Sequence, residues 1–249
     1  MTAVVGILCK NGIVIGSDSS ATFGQGKQLR TIEQPTQKLC IIQDHILLAG
    51  TGAVGLDQRF CEIVNDAWNK NVFKNPAVQI GKILSRAMIE DMGQTYLKPG
   101  RYGALVGFAS GGTPQLCEFD LTEFQPELKD KKLWYCSIGS TQYLTDPFLA
   151  LMRGVYWGQS PPNLQDGLFA TLWALKHAIT LNVGGVNEPI QIGILESKKG
   201  KYQARQIDNE EFEEVNQHIE ETKEKMKSVL RSFVEPKPDE VEDIPRRAD

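Results

Sequence analysis

This 249-residue sequence has few histidines, no closely spaced cysteine pair, no excess of basic charge and no long apolar run. Its three histidines are scattered and show no H-E-x-x-H spacing, and its five cysteines form no C-x-x-C pair. A zinc site and a Cys-His nucleophile therefore have no support. We expect free, mostly buried thiols, no metal and no other cofactor.

The charge balance and the apolar content bear on partners and location. A net charge of -4 gives no electrostatic reason to expect a nucleic-acid partner, since proteins that bind nucleic acids carry a basic stripe. No stretch reaches the roughly 18 apolar residues of a membrane span, and the amino end lacks the pattern of a secretion signal. We expect a folded protein in the cytoplasm, with neither a nucleic-acid partner nor a membrane association.

Short runs rich in β-branched residues, joined by tight turns, predict antiparallel strands. A tight turn at Asn11-Gly12 joins the predicted strands Thr2–Cys9 and Ile13–Asp18. Only three residues separate Lys38–Ile42 from Ile46–Ala49, so these two strands must also be antiparallel. Further predicted strands are 104–109, 115–119, 133–138, 189–196 and 202–206, and predicted helices are 56–67, 78–92, 142–156 and 164–182, the last closed by glycines 184 and 185. This order of α and β elements predicts an antiparallel sheet sandwich with helices outside.

A glycine-rich turn is predicted after residue 49. Gly50, Gly52 and Gly55 fit G-x-G-x-x-G, follow an apolar run and precede a helix, as in a dinucleotide site. That site requires a parallel β-α-β unit and an acidic residue about 20 positions later, yet hairpins precede these glycines and residues 69–79 contain neither Asp nor Glu. We therefore reject the nucleotide interpretation. Backbone N–H groups in such a turn can also stabilise an oxyanion.

The amino terminus offers a nucleophile. Thr2 follows the initiator methionine, and a small second residue permits removal of Met1. The α-amino group then exposed has an ordinary pKa of about 7.7–8.0, so a useful fraction is neutral and can accept the hydroxyl proton. Nucleophile and base would occupy one residue.

Five stretches with characteristic order and spacing resemble the proteasome β-type threonine proteases, within the N-terminal nucleophile hydrolases. The resemblance covers about residues 2–207 and is nearest to the proteobacterial proteasome homologues, through Ser-Ser-Ala-Thr-Phe-Gly and Thr-Ile-Glu-Gln-Pro-Thr. The five stretches are Thr2-Ala-Val-Val-Gly, residues 12–22, Lys38-Leu-Cys-Ile-Ile, Leu48-Ala-Gly50 and Cys136-Ser-Ile-Gly-Ser140.

The resemblance implies an α+β fold, the four-layer αββα sandwich of this family, and a set of roles. Thr2 would be the nucleophile, Asp18 and Lys38 the charged pair beside it, Ser140 a hydroxyl near the terminal amine, and Gly50 the oxyanion donor. The residues implied for the first specificity pocket form a small, neutral set, which favours an apolar or small substrate residue before the cleaved bond: Ala21, Thr22, Thr36, Leu48 and Gly52.

Each charged or polar residue of this set also has a purely structural interpretation. Asp18 could end a strand, Lys38 could protect a sheet edge, and Ser140 could cap the helix that begins near Gln142. Lys27 competes with Lys38, because the interval from Asp18 to Lys38 is longer than is usual in the family.

Two departures from the family pattern leave two functions open. Thr180 and Val183 stand where active members have an aspartate and a serine before the paired glycines. The chain is either a self-compartmentalised threonine endopeptidase or a proteasome-like shell protein with weak or no activity. The resemblance implies a homo-oligomer of stacked rings, peptide or unfolded-protein substrates, and an unidentified ATPase regulator as a candidate partner.

The end of the chain, beyond the hydrolase domain at 2–207, predicts an amphipathic helix at 208–235. Its stripe would pack either on its own subunit or on a neighbour as well. Prolines among acidic residues predict a disordered tail at 236–249. The apolar stripe, which Thr222 alone interrupts, consists of Phe212, Val215, Ile219, Thr222, Met226, Val229 and Phe233.

Overall fold

A computed structural model describes residues 2–23, 32–181 and 185–234, with the backbone alone at 21–23, 32–34 and 234. The first half contains β1 (Ala3–Cys9), β2 (Gly12–Ser17), β3 (Ser20–Phe23), β4 (Ile32–Pro35), β5 (Leu39–Ile42), β6 (Ile46–Gly52), α1 (Val54–Asn69), α2 (Ala77–Gln94), β7 (Tyr102–Ser110) and β8 (Thr113–Phe119). The second half contains β9 (Pro126–Leu128), β10 (Tyr135–Gly139), α3 (Gln142–Met152), α4 (Leu164–Thr180), β11 (Gln191–Lys198), β12 (Lys201–Gln206) and α5 (Asn209–Val234).

Two five-stranded antiparallel sheets form the centre of the molecule. One has the strand order β10-β1-β2-β11-β12 and the other β5-β6-β7-β8-β9, while β3 and β4 pair separately. Their facing sides pack through a fully buried aliphatic cluster that includes Val4, Ile15, Leu47 and Leu105. Successive side chains of a strand point to opposite faces, so each sheet buries its other face beneath helices.

Helices cover both outer faces. Helices α3 and α4 pack on the first sheet, α5 packs on α4, and α1 and α2 pack on the second sheet. Under α1, the ring of Phe60 meets Tyr102 and Phe119 edge to face, with centroids 5.8 and 5.4 Å apart. Such pairs add about 0.5–1.5 kcal/mol each beyond their buried area, and they hold Tyr102 rigidly beneath the helix.

The predicted four-layer αββα sandwich is confirmed, and the predicted strands and helices lie where expected to within a few residues. The predicted helix 142–156 is too long, since α3 ends at Met152 and a π-helical turn, Arg153–Trp157, follows. Three short strands were missed: β3, β4 and β9 have only three or four residues each, and two of them contain proline, so they carry little hydrophobic periodicity.

The predicted apolar stripe lies on helix α5, where one half of it is buried and the other half is exposed. Phe212, Val215 and Ile219 pack against the core of the same chain. Val229 and Phe233, further along, are 58% and 83% exposed. Packing on its own subunit therefore accounts for the first half of the stripe. The predicted tail lies outside the described residues, and within the described ones no helix combines the length and apolarity needed to cross a membrane.

Candidate active site

Sheet pairing brings the residues of the site together at one end of β1. This strand runs antiparallel to both neighbours, with Ala3 opposite Gly139 of β10 and Val4 opposite Ser17 of β2. The start of β1 therefore lies beside the ends of β2 and β10. Thr2, which precedes β1, consequently meets Asp18 after β2 and Ser140 after β10.

Asp18 is fully buried and accepts three hydrogen bonds. Its Oδ1 accepts from the backbone N–H of Ala3 at 2.9 Å and from Nζ of Lys38 at 2.7 Å, and its Oδ2 accepts from the N–H of Ser20 at 2.9 Å. These donors hold the carboxylate in one orientation. The interpretation of Asp18 as only a strand end leaves this cluster of donors unexplained.

Lys38 is buried and joins Asp18 to the threonine. Its Nζ donates to Asp18 Oδ1 at 2.7 Å and to Thr2 Oγ1 at 3.4 Å. Burial lowers the pKa of Lys38, while the nearby carboxylates of Asp18 and Asp57 oppose that change. A buried side chain with these contacts is not a solvated edge lysine. Lys27, the competing candidate, lies outside the described residues.

The backbone of Lys38 is held by Gln191, which the sequence analysis missed. The Oε1 of Gln191 accepts from the N–H groups of Lys38 and Leu39, each at 3.0 Å. Its Nε2 donates to the carbonyl of Thr36 at 2.8 Å and to Ser19 Oγ at 2.6 Å. The first residue of β11 thus fixes the segment from which Lys38 projects. No local pattern marks this contact, because Gln191 and Lys38 are 153 positions apart.

Ser140 contacts the backbone of Thr2. The nitrogen of Thr2 donates to Ser140 Oγ at 3.1 Å, and Ser140 Oγ lies 3.4 Å from the carbonyl oxygen of Thr2. The residue before it, Gly139, has φ +103°, and a Cβ there would lie 2.2 Å from that carbonyl oxygen. The interpretation of Ser140 as a helix cap is wrong, since the N-cap of α3 is Thr141 and no side chain caps this helix.

The glycines do not form one turn, which corrects the expectation from the sequence. Gly50 and Gly52 are part of β6, and Gly55 lies within α1. Of these three glycines, only Gly52 has a positive φ, at +128°. Because β6 pairs antiparallel with both β5 and β7, the surroundings are not those of a dinucleotide-binding β-α-β unit.

A carboxyl group that the sequence analysis missed lies against Gly50. Tyr102 Oη donates to Asp57 Oδ1 at 2.7 Å. Burial raises the pKa of Asp57, whereas the Tyr102 hydrogen bond and the charge of Lys38 lower it. The available signal was an acidic residue in the first turn of the helix that follows the glycines.

The residues predicted to bind substrate differ in how far they are exposed. Leu48 is fully buried against α1 and α2, so it offers no surface to a substrate, and its predicted role is corrected. Gly52 is exposed and Thr36 is half-buried. Ala21 and Thr22 belong to β3, where only the backbone is described.

Of the two residues that depart from the family pattern, one is on helix α4. Thr180 is exposed at the end of α4, and its Oγ1 donates to the carbonyl of Lys176 at 2.7 Å, one turn earlier in the helix. Val183 lies outside the described residues. Within the described ranges, no three side chains of His, Cys, Asp or Glu form a group suited to a metal ion.

Proteasome beta subunits are similar in sequence to part of this chain. The beta 1 proteasome subunit of Thermococcus sibiricus is 41% identical over 54 residues, which is 22% of this chain and 24% of that protein. The beta proteasome subunit of Nanoarchaeum equitans is 36% identical over 64 residues, 26% of this chain and 31% of that protein. This chain thus matches less than a third of the length of these relatives.

A solved structure shares the whole fold. The Anbu (Gly-1) mutant from Hyphomicrobium sp. strain MC1 superposes with a TM-score of 0.69, over 97% of this chain and 100% of that one, at 16% identity. The family model described as "Proteasome subunit" matches residues 2–151, which is more than half of the sequence. The chain belongs to the proteasome subunit family.

Proposed function

We propose that this chain is a threonine endopeptidase whose nucleophile is Thr2, exposed by removal of Met1. The observation that supports this most is the contact of Lys38 Nζ with both Asp18 Oδ1, at 2.7 Å, and Thr2 Oγ1, at 3.4 Å. A cation held beside a hydroxyl oxygen favours the alkoxide that attacks a carbonyl. Asp18 orients that cation and keeps it charged.

The free amine of Thr2 would act as the base. With Met1 removed, the nitrogen that lies 3.1 Å from Ser140 Oγ becomes an α-amino group. In its neutral form it takes the proton from Oγ1, directly or through a water molecule, and later returns it to the leaving amine. Ser140 hydrogen-bonds this nitrogen and so orients its lone pair.

Gly50 is the proposed oxyanion donor. Attack by Oγ1 on the peptide carbonyl forms a tetrahedral intermediate, whose negative oxygen needs a fixed N–H group. A donor of this kind contributes about 2.7–4 kcal/mol to the stability of the transition state. Collapse of the intermediate releases the amine and leaves an ester on Thr2, which water then hydrolyses.

The remaining assignments follow from family membership. We infer peptides or unfolded chains as substrates, with Ala21, Thr22, Thr36 and Gly52 near the side chain that precedes the cleaved bond. We also infer stacked homo-oligomeric rings with the sites inside, an ATPase that delivers substrate, and a cytoplasmic location.

Substitution of the nucleophile tests the proposal. Thr2→Ala should abolish hydrolysis of a short fluorogenic peptide while the assembly keeps its size, because alanine removes only Oγ1 and one methyl group. Thr222→Ala, the same change on α5, is the matched control and should hydrolyse the peptide at the wild-type rate. Equal hydrolysis by Thr2→Ala and wild type would refute the mechanism, and a wild type without turnover would favour the inactive shell protein.

A further inference from the structure

The pair of Asp57 and Tyr102 lies directly against the proposed oxyanion strand and has no role in the steps above. Tyr102 Oη and Asp57 Oδ1 are 2.7 Å apart. A Cβ built on Gly50 would lie 2.2 Å from Asp57 Oδ1 and 2.4 Å from Tyr102 Oη. The carboxyl and phenol groups therefore occupy the space that any larger residue at position 50 would need.

Strand register brings this pair close to Lys38. Leu39 of β5 is opposite Ala49 of β6, and the next positions outward along the two strands are Lys38 and Gly50. These two residues are consequently neighbours at the edge of the ladder. Since Asp57 packs on Gly50, its carboxylate lies beside the segment that carries Lys38.

The course of α1 gives the same placement independently. This helix runs along β5 and the following turn, with Gln43 Nε2 bonded to Asn65 Oδ1 at 2.8 Å and the rings of His45 and Trp68 stacked 4.9 Å apart. Moving back along both elements brings the first turn of α1, which contains Asp57, to the beginning of β5. The contact is therefore built into how the helix docks on the sheet.

The charge of Asp57 offsets part of the effect that burial has on the ammonium group of Lys38. Burial disfavours the ammonium form and lowers the pKa of Lys38, and the charge of Asp57 opposes that change together with Asp18. The charge of Asp57 also acts on two nearby thiols by raising the pKa of Cys40 and of Cys61, while the hydrogen bond from Cys61 lowers the pKa of Cys40. The groups that face the Lys38–Asp57 region are Thr2, Asp18, Cys40, Cys61 and Tyr102.

We propose that Asp57 is a positioning residue for the peptidase reaction, and that its carboxylate, oriented by Tyr102, keeps Lys38 charged and directed at Thr2 Oγ1. This role rests on the proposed function. Asp57, on α1, supplies a second negative group for a lysine that must remain protonated in a buried site. Tyr102 acts by stabilising the ionised form of Asp57, which burial disfavours.

The alkaline limb of the pH profile depends on the charge of Lys38. Protonated Lys38 is the form that favours the alkoxide, so turnover falls as the pH rises through the pKa of Lys38. Asp57→Asn removes an interaction that raises that pKa but keeps an oxygen that can accept from Tyr102. The alkaline limb of the pH profile of kcat/KM should therefore move to lower pH. A shift of half a unit to one unit lowers the rate at a fixed pH on that limb about three- to tenfold.

Two variants separate this role from a purely structural one. Asp66→Asn makes the same charge change at an exposed position of α1 and should leave the limb in place. Tyr102→Phe removes the hydrogen bond but keeps the carboxylate, which is ionised at alkaline pH, so the limb should also stay in place. If Asp57→Asn and Tyr102→Phe lower the rate alike at every pH, the pair only supports packing and the proposal is wrong.

A second readout does not depend on hydrolysis. Competitive acylation at a series of pH values, followed by peptide mass spectrometry, measures the neutral fraction of Lys38 in the full-length protein. Asp57→Asn should raise that fraction about three- to tenfold below the midpoint, and Asp66→Asn should not. An unchanged titration overturns the role of Asp57. A wild type without turnover overturns the peptidase function, while the titration still decides the role of Asp57.

Discussion

At the scale of single residues, the site depends on a lysine whose charge is opposed by its own burial. Removal of water from Lys38 disfavours the ammonium group, and the geometry compensates with Asp18 Oδ1 at 2.7 Å. Breaking a buried pair by removal of one partner typically costs about 3–5 kcal/mol. Loss of activity in a Lys38 variant must therefore be compared with its loss of stability.

Alanine substitution at two glycines of the G-x-G-x-x-G motif should change the stability of the protein in opposite directions. At Gly50 a Cβ would meet Asp57 and Tyr102 at 2.2 and 2.4 Å, whereas at Gly55 nothing lies within 4 Å. Gly50→Ala should destabilise the protein by about 1–3 kcal/mol through overpacking. Gly55→Ala, within α1, should gain about 0.5–1 kcal/mol, because alanine loses less backbone entropy in a helix.

Chemical denaturation of both variants measures these changes directly. Gly55→Ala also serves as the matched control for activity and should turn over peptide at the wild-type rate. Equal stability of the two variants would show that the Asp57–Tyr102 pair does not lie against Gly50.

The residues that form the core of the site were accessible from the sequence, but their supports were not. Thr2, Asp18, Lys38 and Ser140 stand in stretches that resemble a family, and the structure brings all four together. Gln191 and Asp57 act through sheet pairing and helix docking, which local patterns do not report. Gly50 was expected in a turn because glycine and alanine lower strand propensity, yet pairing with β7 keeps it in β6.

At the scale of elements, α5 has an apolar face that its own subunit covers only in part. Phe212, Val215 and Ile219 are anchored in the core, and Met226, Val229 and Phe233 continue the same face into solvent. In the homo-oligomeric rings proposed above, a second copy of this chain is the partner that we expect to cover this outer half. Point substitutions in the outer half test this contact, because they leave the half that packs on the core in place.

Charges on the outer half of α5 should weaken assembly. Val229→Asp combined with Phe233→Asp places carboxylates in an apolar contact, where burial without a partner is unfavourable. Light scattering should show a smaller particle for this double variant. Ser228→Asp, on the same turn and already exposed, is the control and should keep the wild-type size. A double variant of unchanged size would restrict α5 to packing on its own subunit.

At the scale of the whole molecule, the antiparallel order of hairpins and helices was sufficient to predict the sandwich, since periodicity and turn residues are local properties. Short strands such as β3, β4 and β9 escaped because three or four residues carry no usable periodicity. Residues that flank strands of both sheets meet at the start of β1, where Lys38, which precedes β5, contacts Thr2 and Asp18. The central claim is that the mature chain begins with a reactive threonine.

Intact mass spectrometry before and after treatment with a β-lactone tests that claim most directly. The account predicts a protein that lacks Met1 and gains one lactone per chain on Thr2 Oγ1, with no adduct on Thr2→Ala. A protein that hydrolyses peptides while it retains Met1, or that carries the adduct elsewhere, would contradict it.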